Sequence, residues 1–106
     1  MYTMYSDNSS TWTFLTNHAH VLMCLVNSPD MLMKDIAREV GITERAVQRI
    51  IADLRDENYL TQERHGRRNS YTIQHDRHLK HRIEAHKTIA DLIRLIFESG
   101  KEEGNA

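Results

Sequence analysis

Apolar residues recur at helical spacing in four segments of the chain. Between the third and the fourth of these, apolar and polar residues alternate in two short segments. The first predicted helix covers Asn17–Asn27, with Thr16 as its N-cap and Ser28-Pro29-Asp30 after its end. Its apolar residues point nearly all round the helix axis, which predicts burial on most sides. These residues are Ala19, Val21, Leu22, Met23, Cys24, Leu25 and Val26.

A second and a third helix follow, separated by a glycine. The second covers Lys34–Val40, and Gly41 after it has the backbone freedom that a tight turn between helices needs. The third covers Glu44–Glu57, with Thr43 as its predicted N-cap. Each helix has one apolar stripe: Ile36, Ala37 and Val40 in the second, and Val47, Ile50, Ile51 and Leu54 in the third.

The strand predictions are short. Met31-Leu32 is a candidate strand before the second helix, and Tyr59–Glu63 with Ser70–Ile73 alternate as a β-hairpin whose turn is His65–Asn69. A last helix is expected over Leu79–Phe97. The predicted fold class is therefore mainly α with a small β-hairpin, in the order α-β-α-α-β-β-α.

Composition limits the chain to one compact domain and excludes several classes of protein. Its 106 residues include a single cysteine, Cys24, so a disulfide framework is excluded and a reducing compartment is favoured. The first ten residues lack the features of a secretory signal, and no apolar run is long enough to span a membrane. We expect a cytoplasmic protein. No phosphate-binding loop, carboxylate pair or nucleophile elbow is present, so neither an enzyme nor a cofactor is expected.

Charge is distributed unevenly along the chain. The formal net charge is −1, yet residues 1–33 contain no Lys or Arg. The segment from Tyr59 to Arg82 contains six basic residues against Glu63 and Asp76 only. One positive face on a nearly neutral protein is the expectation, and such a face is typical of contact with nucleic acid.

The polar side of the third helix has the chemistry of a major-groove reader. Arg45, Gln48 and Arg49 lie opposite the apolar stripe, with Thr43 and Glu44 at the leading end. Arginine pairs with guanine, glutamine with adenine, and threonine contacts bases or phosphates. We predict that these five residues bind DNA. The alternative is a solvated charged face on an ordinary helical hairpin.

The predicted hairpin adds a second basic element directly after that helix. Arg64, Arg67, Arg68 and Asn69 surround its turn, where arginines reach phosphates or a narrow minor groove. The alternative is a turn that charge keeps soluble. A helix-turn-helix followed by a basic hairpin points to DNA more strongly than either part does alone.

Residues 16–97 resemble the winged helix-turn-helix superfamily of bacterial and archaeal regulators, in particular the MarR-type and ArsR-type proteins. The resemblance rests on Ile42-Thr43-x3-Val47-x-Arg49-x4-Leu54 and on Gly66-Arg67-Arg68-Asn69-x-Tyr71. It implies a dimeric transcriptional regulator, which we expect to act as a repressor, with double-stranded DNA as its partner. We expect the chain to divide into a polar, flexible arm (1–11), a winged helix-turn-helix DNA-binding domain (12–76), a dimerisation helix (77–98) and a flexible tail (99–106). The chain is shorter than full-length MarR-type proteins.

The last predicted helix has more apolar surface than one small core can cover. Over Leu79–Phe97 its apolar residues span roughly 240° of the helical wheel, whereas one core requires about 100°. We therefore expect a homodimer seam on this helix, although the first helix covering it within a monomer is the alternative. The predicted seam residues are Ile89, Leu92, Ile93, Leu95 and Ile96.

The sequence also allows three other functions. His75, His78, His81 and His86, with Asp76 and Glu84, raise metal sensing, but no cysteine accompanies them and no ligand pair has a fixed spacing, so no metal is expected. Cys24 is either a redox switch or, as its apolar helix favours, a buried structural residue. A winged-helix protein-interaction module would place apolar or acidic residues on the third helix, where Arg45, Gln48 and Arg49 stand. The identity of any small-molecule effector is left open.

Overall fold

Four helices and one antiparallel β-hairpin follow one another in residues 11–98, the part of the chain that the computed structural model describes. Most of the predicted N-terminal arm and the predicted tail lie outside these residues. The elements are α1 (Asn17–Asn27), α2 (Met33–Val40), α3 (Glu44–Asp56), β1 (Leu60–His65), β2 (Arg68–Ile73) and α4 (Ile89–Phe97). The mainly helical fold with one hairpin is as predicted, and no helix in residues 11–98 has the length and apolarity to span a membrane.

Local hydrogen bonds fix the ends of the first three helices. The hydroxyl oxygens of Thr16 and Thr43 each accept from the N–H three residues ahead, at 3.3 and 3.0 Å, so both are N-caps as predicted. Helix α2 ends at Gly41, whose φ of +87° is the left-handed conformation that glycine adopts without penalty. Two residues beyond the end of α3, Asn58 has a φ of +65°, and the Tyr59 N–H donates to the Leu54 carbonyl at 2.8 Å, as in a Schellman motif.

The core lies where α1, α2, α3 and the base of the hairpin meet. All four predicted stripe residues of α3 are buried, and Val47 is completely inaccessible to solvent. Helix α1 buries residues on most of its circumference, as predicted from its apolar pattern. The most completely buried side chains are Val21, Leu25, Ile36, Val47, Ile51 and Leu60. This packing fixes α3 in one rotational setting, because its apolar stripe has to face inward.

The hairpin is longer and its turn tighter than predicted. Strands β1 and β2 pair antiparallel from Leu60 opposite Ile73 to His65 opposite Arg68, which leaves Gly66 and Arg67 as a two-residue turn. Of these two only Gly66 has a positive φ, +64°, which is the pattern of a type II′ turn. His65, Arg68 and Asn69, which the sequence assigned to the turn, therefore belong to the strands. A two-residue turn of this type matches the natural twist of paired strands.

The predicted strand at Met31-Leu32 is wrong. These two residues join α1 to α2 without strand pairing, and α2 begins at Met33. One hydrogen bond connects this turn to the hairpin, from the Tyr71 N–H to the Pro29 carbonyl at 3.0 Å. Pro29 has no N–H to return a second bond, and the Met31 N–H donates within the turn to the Ser28 carbonyl at 3.0 Å, so it is not available for strand pairing.

The predicted start of the last helix at Leu79 is also wrong, because α4 begins ten residues later, at Ile89. Thr88 and Asp91 form a capping box, in which each side chain accepts from the other residue's backbone N–H. The preceding residues 74–88, here termed the connector, are irregular, and a short bridge pairs His78 with Thr88. The large apolar arc predicted for this region therefore does not exist as one helical surface.

Candidate nucleic-acid interface

The recognition face, consisting of Thr43, Glu44, Arg45, Gln48 and Arg49, is exposed at every position. Its orientation follows from the core, since α3 buries Val47, Ile50 and Leu54 on the opposite side. Residues three and four apart lie side by side on a helix, so the Arg45, Gln48 and Arg49 side chains form one cluster. The structure brings these sequence-predicted residues together on one accessible surface.

The two halves of α3 differ in how their charges are paired. Within residues 11–98, Arg45, Gln48 and Arg49 make no hydrogen bond or ion pair. In the C-terminal half, Asp53 lies 2.8 Å from the His18 ring, and the C-cap residue Glu57 lies 3.5 Å from the Lys80 ammonium. The N-terminal half therefore presents uncompensated donors, and the C-terminal half is tied to the rest of the protein.

Thr43 has a structural role at the start of this face. Its hydroxyl accepts from the Ala46 N–H, so the Thr43 oxygen is already committed to the helix end. Glu44, in the first turn, places a negative charge near the positive end of the helix dipole. Both residues stabilise the end of α3 that carries Arg45.

The wing, defined as residues 64–69 of the hairpin, contains three arginines in different situations. Arg67 occupies the turn, is exposed and has no partner within the described residues. Arg64 donates from Nε to the Gly66 carbonyl at 3.2 Å, which leaves its terminal nitrogens for another acceptor. Arg68 instead points back to the protein, where Nη2 donates to the Asp30 carbonyl at 3.1 Å.

Asn69 differs from its neighbours because it is half-buried. Its Oδ1 atom is inaccessible and has no hydrogen-bond partner among the described residues. Arg64 and Arg67 are consequently the wing residues with donors that have no partner within residues 11–98, whereas Arg68 donates to Asp30 and Asn69 is half-buried. The sequence placed all four at the DNA; the Asp30 partner has no local signal because it lies 38 residues away.

The five predicted seam residues of α4 divide into two groups. Ile89 is 3 % exposed and belongs to the core of the monomer, and Leu92 and Ile93 pack partly against that core. Leu95 and Ile96 are 68 % and 40 % exposed. Phe97, which belongs to the predicted apolar arc but not to the predicted seam residues, is exposed beside them. The outer end of α4 is thus the part with uncovered apolar surface.

Two of the four connector histidines form local hydrogen bonds through their rings. Nδ1 of His78 lies 2.8 Å from the Ala85 carbonyl, and a carbonyl only accepts, so this nitrogen carries the proton. Nδ1 of His81 accepts from the Ile83 N–H at 3.1 Å. Within residues 11–98, no three His, Cys, Asp or Glu side chains are placed to share a metal ion.

Cys24 lies half-buried on α1. Burial raises the pKa of the Cys24 thiol, and the negative charge of Glu39 raises it further. A raised pKa keeps the sulfur in its protonated form at neutral pH, in which it is a poor nucleophile. The environment of Cys24 thus suits a packing residue.

A groove of about 730 Å³ runs beside the C-terminal half of α3. Side chains from α1, α3, the connector and α4 line it, and its apolar lining includes Phe14, Leu22, Leu54, Leu79, Ile89 and Leu92. Carboxylates of Asp53, Asp56, Glu57 and Glu84 also line it. The pattern of single helices did not indicate this groove, because segments far apart in the chain form it, including Phe14 ahead of α1.

The sequence model of the MarR family matches residues 13–68, slightly more than half of the chain. The matched region begins before α1 and ends at the first residue of β2. It therefore includes the whole recognition face and the wing up to Arg68. No curated protein matches the chain.

Proposed function

The chain belongs to the MarR family, and from this premise we propose that it is a sequence-specific transcriptional repressor that binds double-stranded DNA as a homodimer. The family consists of DNA-binding regulators of transcription and not of enzymes. In the proposed complex α3 enters the major groove, and the wing contacts phosphates or the minor groove.

The observation that carries the proposal is the recognition face itself. Arg45, Gln48 and Arg49 are exposed together, have no partner within the described residues, and extend from a helix whose other side is locked in the core. Donors without intramolecular partners on a rigid helix are available to base edges and phosphates. Because Arg67 is likewise unpaired at the hairpin turn, the two basic elements support the same partner.

The test begins by selecting bound fragments from random double-stranded DNA. We expect the selected operator to bind Arg49→Ala and Gln48→Ala more weakly by about 1–3 kcal/mol, with relaxed preference at one base position each. Arg55→Ala is the matched control, since Arg55 lies on the same helix but donates to Gln62 at 3.1 Å. Unchanged binding by both test variants would refute the assigned face.

The homodimer part of the proposal rests on the outer end of α4. Leu95, Ile96 and Phe97 leave apolar surface uncovered in the monomer, and burying one such side chain is worth roughly 1.5–3 kcal/mol. A two-fold dimer would place two copies of α3 about 34 Å apart, one turn of DNA, so that an inverted repeat is expected in the operator.

Sedimentation tests the dimer with a pair of charge substitutions. Leu95→Glu should give monomers with weak operator affinity, and it should not disturb the fold because Leu95 is 68 % exposed. Ile83→Glu is the matched control at an apolar residue that is 75 % exposed but lies in the connector. A wild-type chain that sediments as a 12.4 kDa monomer and still binds its operator tightly would refute the dimer.

The groove favours a second function, which adds to the first: binding of a small apolar effector. Its lining includes Asp53, Leu54 and Asp56 of α3, so an occupant would contact the recognition helix directly. Nile red fluorescence should rise with the wild type and not with Ala19→Phe, which fills the groove. Ala85→Phe, outside the groove lining, is the control. Equal fluorescence for both variants would argue against the site.

A further inference from the structure

Arg68 joins the wing to the turn between α1 and α2. Its Nη2 atom donates to the Asp30 carbonyl at 3.1 Å, and its Nε atom lies 3.7 Å from the Asp30 carboxylate. Three residues along the same strand, the Tyr71 N–H donates to the Pro29 carbonyl at 3.0 Å. Two neighbouring points of β2 are thus attached to two neighbouring residues of the turn.

The outer half of the hairpin has little else to hold it. Residues 61–68 are all exposed, and the buried strand residues, Leu60, Tyr71 and Ile73, lie at the base. A two-stranded hairpin without an apolar face is at best marginally stable in water. The Arg68–Asp30 contact is therefore the outermost attachment of the wing to the helices within the described part of the chain.

We propose that Arg68 is a positioning residue, which holds the wing against the α1–α2 turn so that Arg67 at the hairpin turn meets the DNA. The inference rests on the proposed function and refines it. Arg68 does not itself bind phosphate, because its guanidinium is directed to Asp30, whose negative charge offsets it. Arg67 is the wing residue whose contact with the nucleic acid depends on this attachment.

A double-mutant cycle on the selected operator separates positioning from direct contact. Arg67→Gln should lower the slope of log affinity against log salt by about one, as for the loss of one phosphate contact. Arg68→Gln should weaken binding by about fivefold, the effect of losing one charge-assisted hydrogen bond at the surface. The double variant should then bind like Arg67→Gln alone, because the contact that Arg68 supports is already absent.

Two other results of the double-mutant cycle would contradict the proposal. If Arg68 contacts phosphate directly, the two losses add and the slope falls by about two in the double variant. If Arg68 only stabilises the fold, Arg68→Gln lowers the melting temperature and the loss from Arg67→Gln is the same in both backgrounds. Either result overturns the proposal. Arg38→Gln, which breaks an exposed pair with Asp35 on α2, is the control for removing a paired arginine.

The size of the effect at Asp30 is a second discriminator. Removing a negative charge from a DNA-binding protein ordinarily strengthens binding, and positioning predicts that Asp30→Asn gains less affinity than a control, because it keeps the main-chain acceptor at 3.1 Å but loses the carboxylate at 3.7 Å from Arg68. Asp35→Asn is the matched control, since Asp35 pairs with Arg38 at 3.2 Å on α2 and has no connection to the wing. A gain in affinity for Asp30→Asn, equal to that of the control, would overturn the proposal.

Wing order in the free protein tests the attachment without DNA. The heteronuclear NOE of the amides of residues 63–69 should fall in Arg68→Gln and stay unchanged in Arg67→Gln. Unchanged NOE values in Arg68→Gln would overturn the inference whatever the DNA results. A wild-type chain that binds no DNA, with a wing that loosens in Arg68→Gln, would instead refute the proposed function and leave the attachment established.

Discussion

Thr43 offers a prediction in which stability and DNA binding separate. Its hydroxyl accepts from the Ala46 N–H at 3.0 Å and thereby satisfies one of the free donors at the start of α3. Thr43→Ala removes this acceptor and should cost about 1 kcal/mol of unfolding free energy, within the 0.5–2 kcal/mol found for caps. For a domain of this size that corresponds to a fall in melting temperature of about 4–8 °C.

Thr43→Asp is the informative partner of that variant. Aspartate keeps a cap acceptor and adds a negative charge where the helix dipole favours it, so the melting temperature should match or exceed that of the wild type. The same charge would face DNA phosphates, so operator affinity should fall. Thermal unfolding followed by circular dichroism at one protein concentration, with fluorescence anisotropy on labelled operator, measures both quantities. An aspartate variant as unstable as Thr43→Ala would refute the capping argument.

Three further predictions concern stability and reactivity. Gly41→Ala should cost about 1–2 kcal/mol in urea unfolding, because the added Cβ meets no atom within 4 Å and the positive φ alone is penalised; an unchanged midpoint would contradict this. The hydrogen bond from the Thr88 backbone N–H lowers the pKa of Asp91. The capping box therefore stabilises α4 at pH values above the usual aspartate pKa, and this contribution is lost as the pH falls through the lowered pKa. The NMR chemical shift of the Thr88 amide should titrate at the lowered pKa in the wild type and should not titrate in Asp91→Asn. Burial raises the pKa of Cys24, so iodoacetamide should alkylate the folded chain at neutral pH far more slowly than the urea-unfolded chain, and equal rates would revive a redox role.

The first three helices were predictable because their signals are local. The stripe from Val47 to Leu54, the caps at Thr16 and Thr43 and the break at Gly41 each act within a few residues. Predicted and observed bounds of α1 coincide, and those of α2 and α3 differ by one residue. The exposure of the recognition face followed directly, because burial of the apolar stripe leaves the opposite side of α3 facing solvent.

The start of α4 was not predicted because apolar spacing persists through a segment that does not form a helix. Distant contacts hold the connector in another shape: the Tyr59 hydroxyl donates to the His78 carbonyl at 2.6 Å, and Arg77 Nε donates to the Glu57 carbonyl at 3.0 Å. The Thr88-x-x-Asp91 capping box was a readable signal for the true start. Apolar periodicity says where a helix is possible, and capping residues say where it begins.

The wing could be predicted as a basic hairpin but not resolved into its individual arginines. Arg64, Arg67 and Arg68 look equivalent along the chain, and their surroundings differ only after folding. Arg68 meets Asp30 because two segments separated by 38 residues come together. Spacing along one element contains no information about such a partner, so the division of roles within the wing required the structure.

The connector also has a consequence for how this protein and its relatives diverge. Two backbone bonds, from Ile89 to the Arg77 carbonyl at 2.9 Å and from Ala90 to the His75 carbonyl at 3.0 Å, fasten the first turn of α4 to the segment leaving the hairpin. If α4 forms the dimer seam, this segment sets the distance between the two-fold axis and helix α3 of each subunit. Insertions or deletions in residues 79–87, between the fastened points, would be absorbed as a larger or smaller loop. Changes at residues 75–77 would alter the spacing between operator half-sites that the dimer can bind. Relatives that differ at these residues would therefore bind different operators.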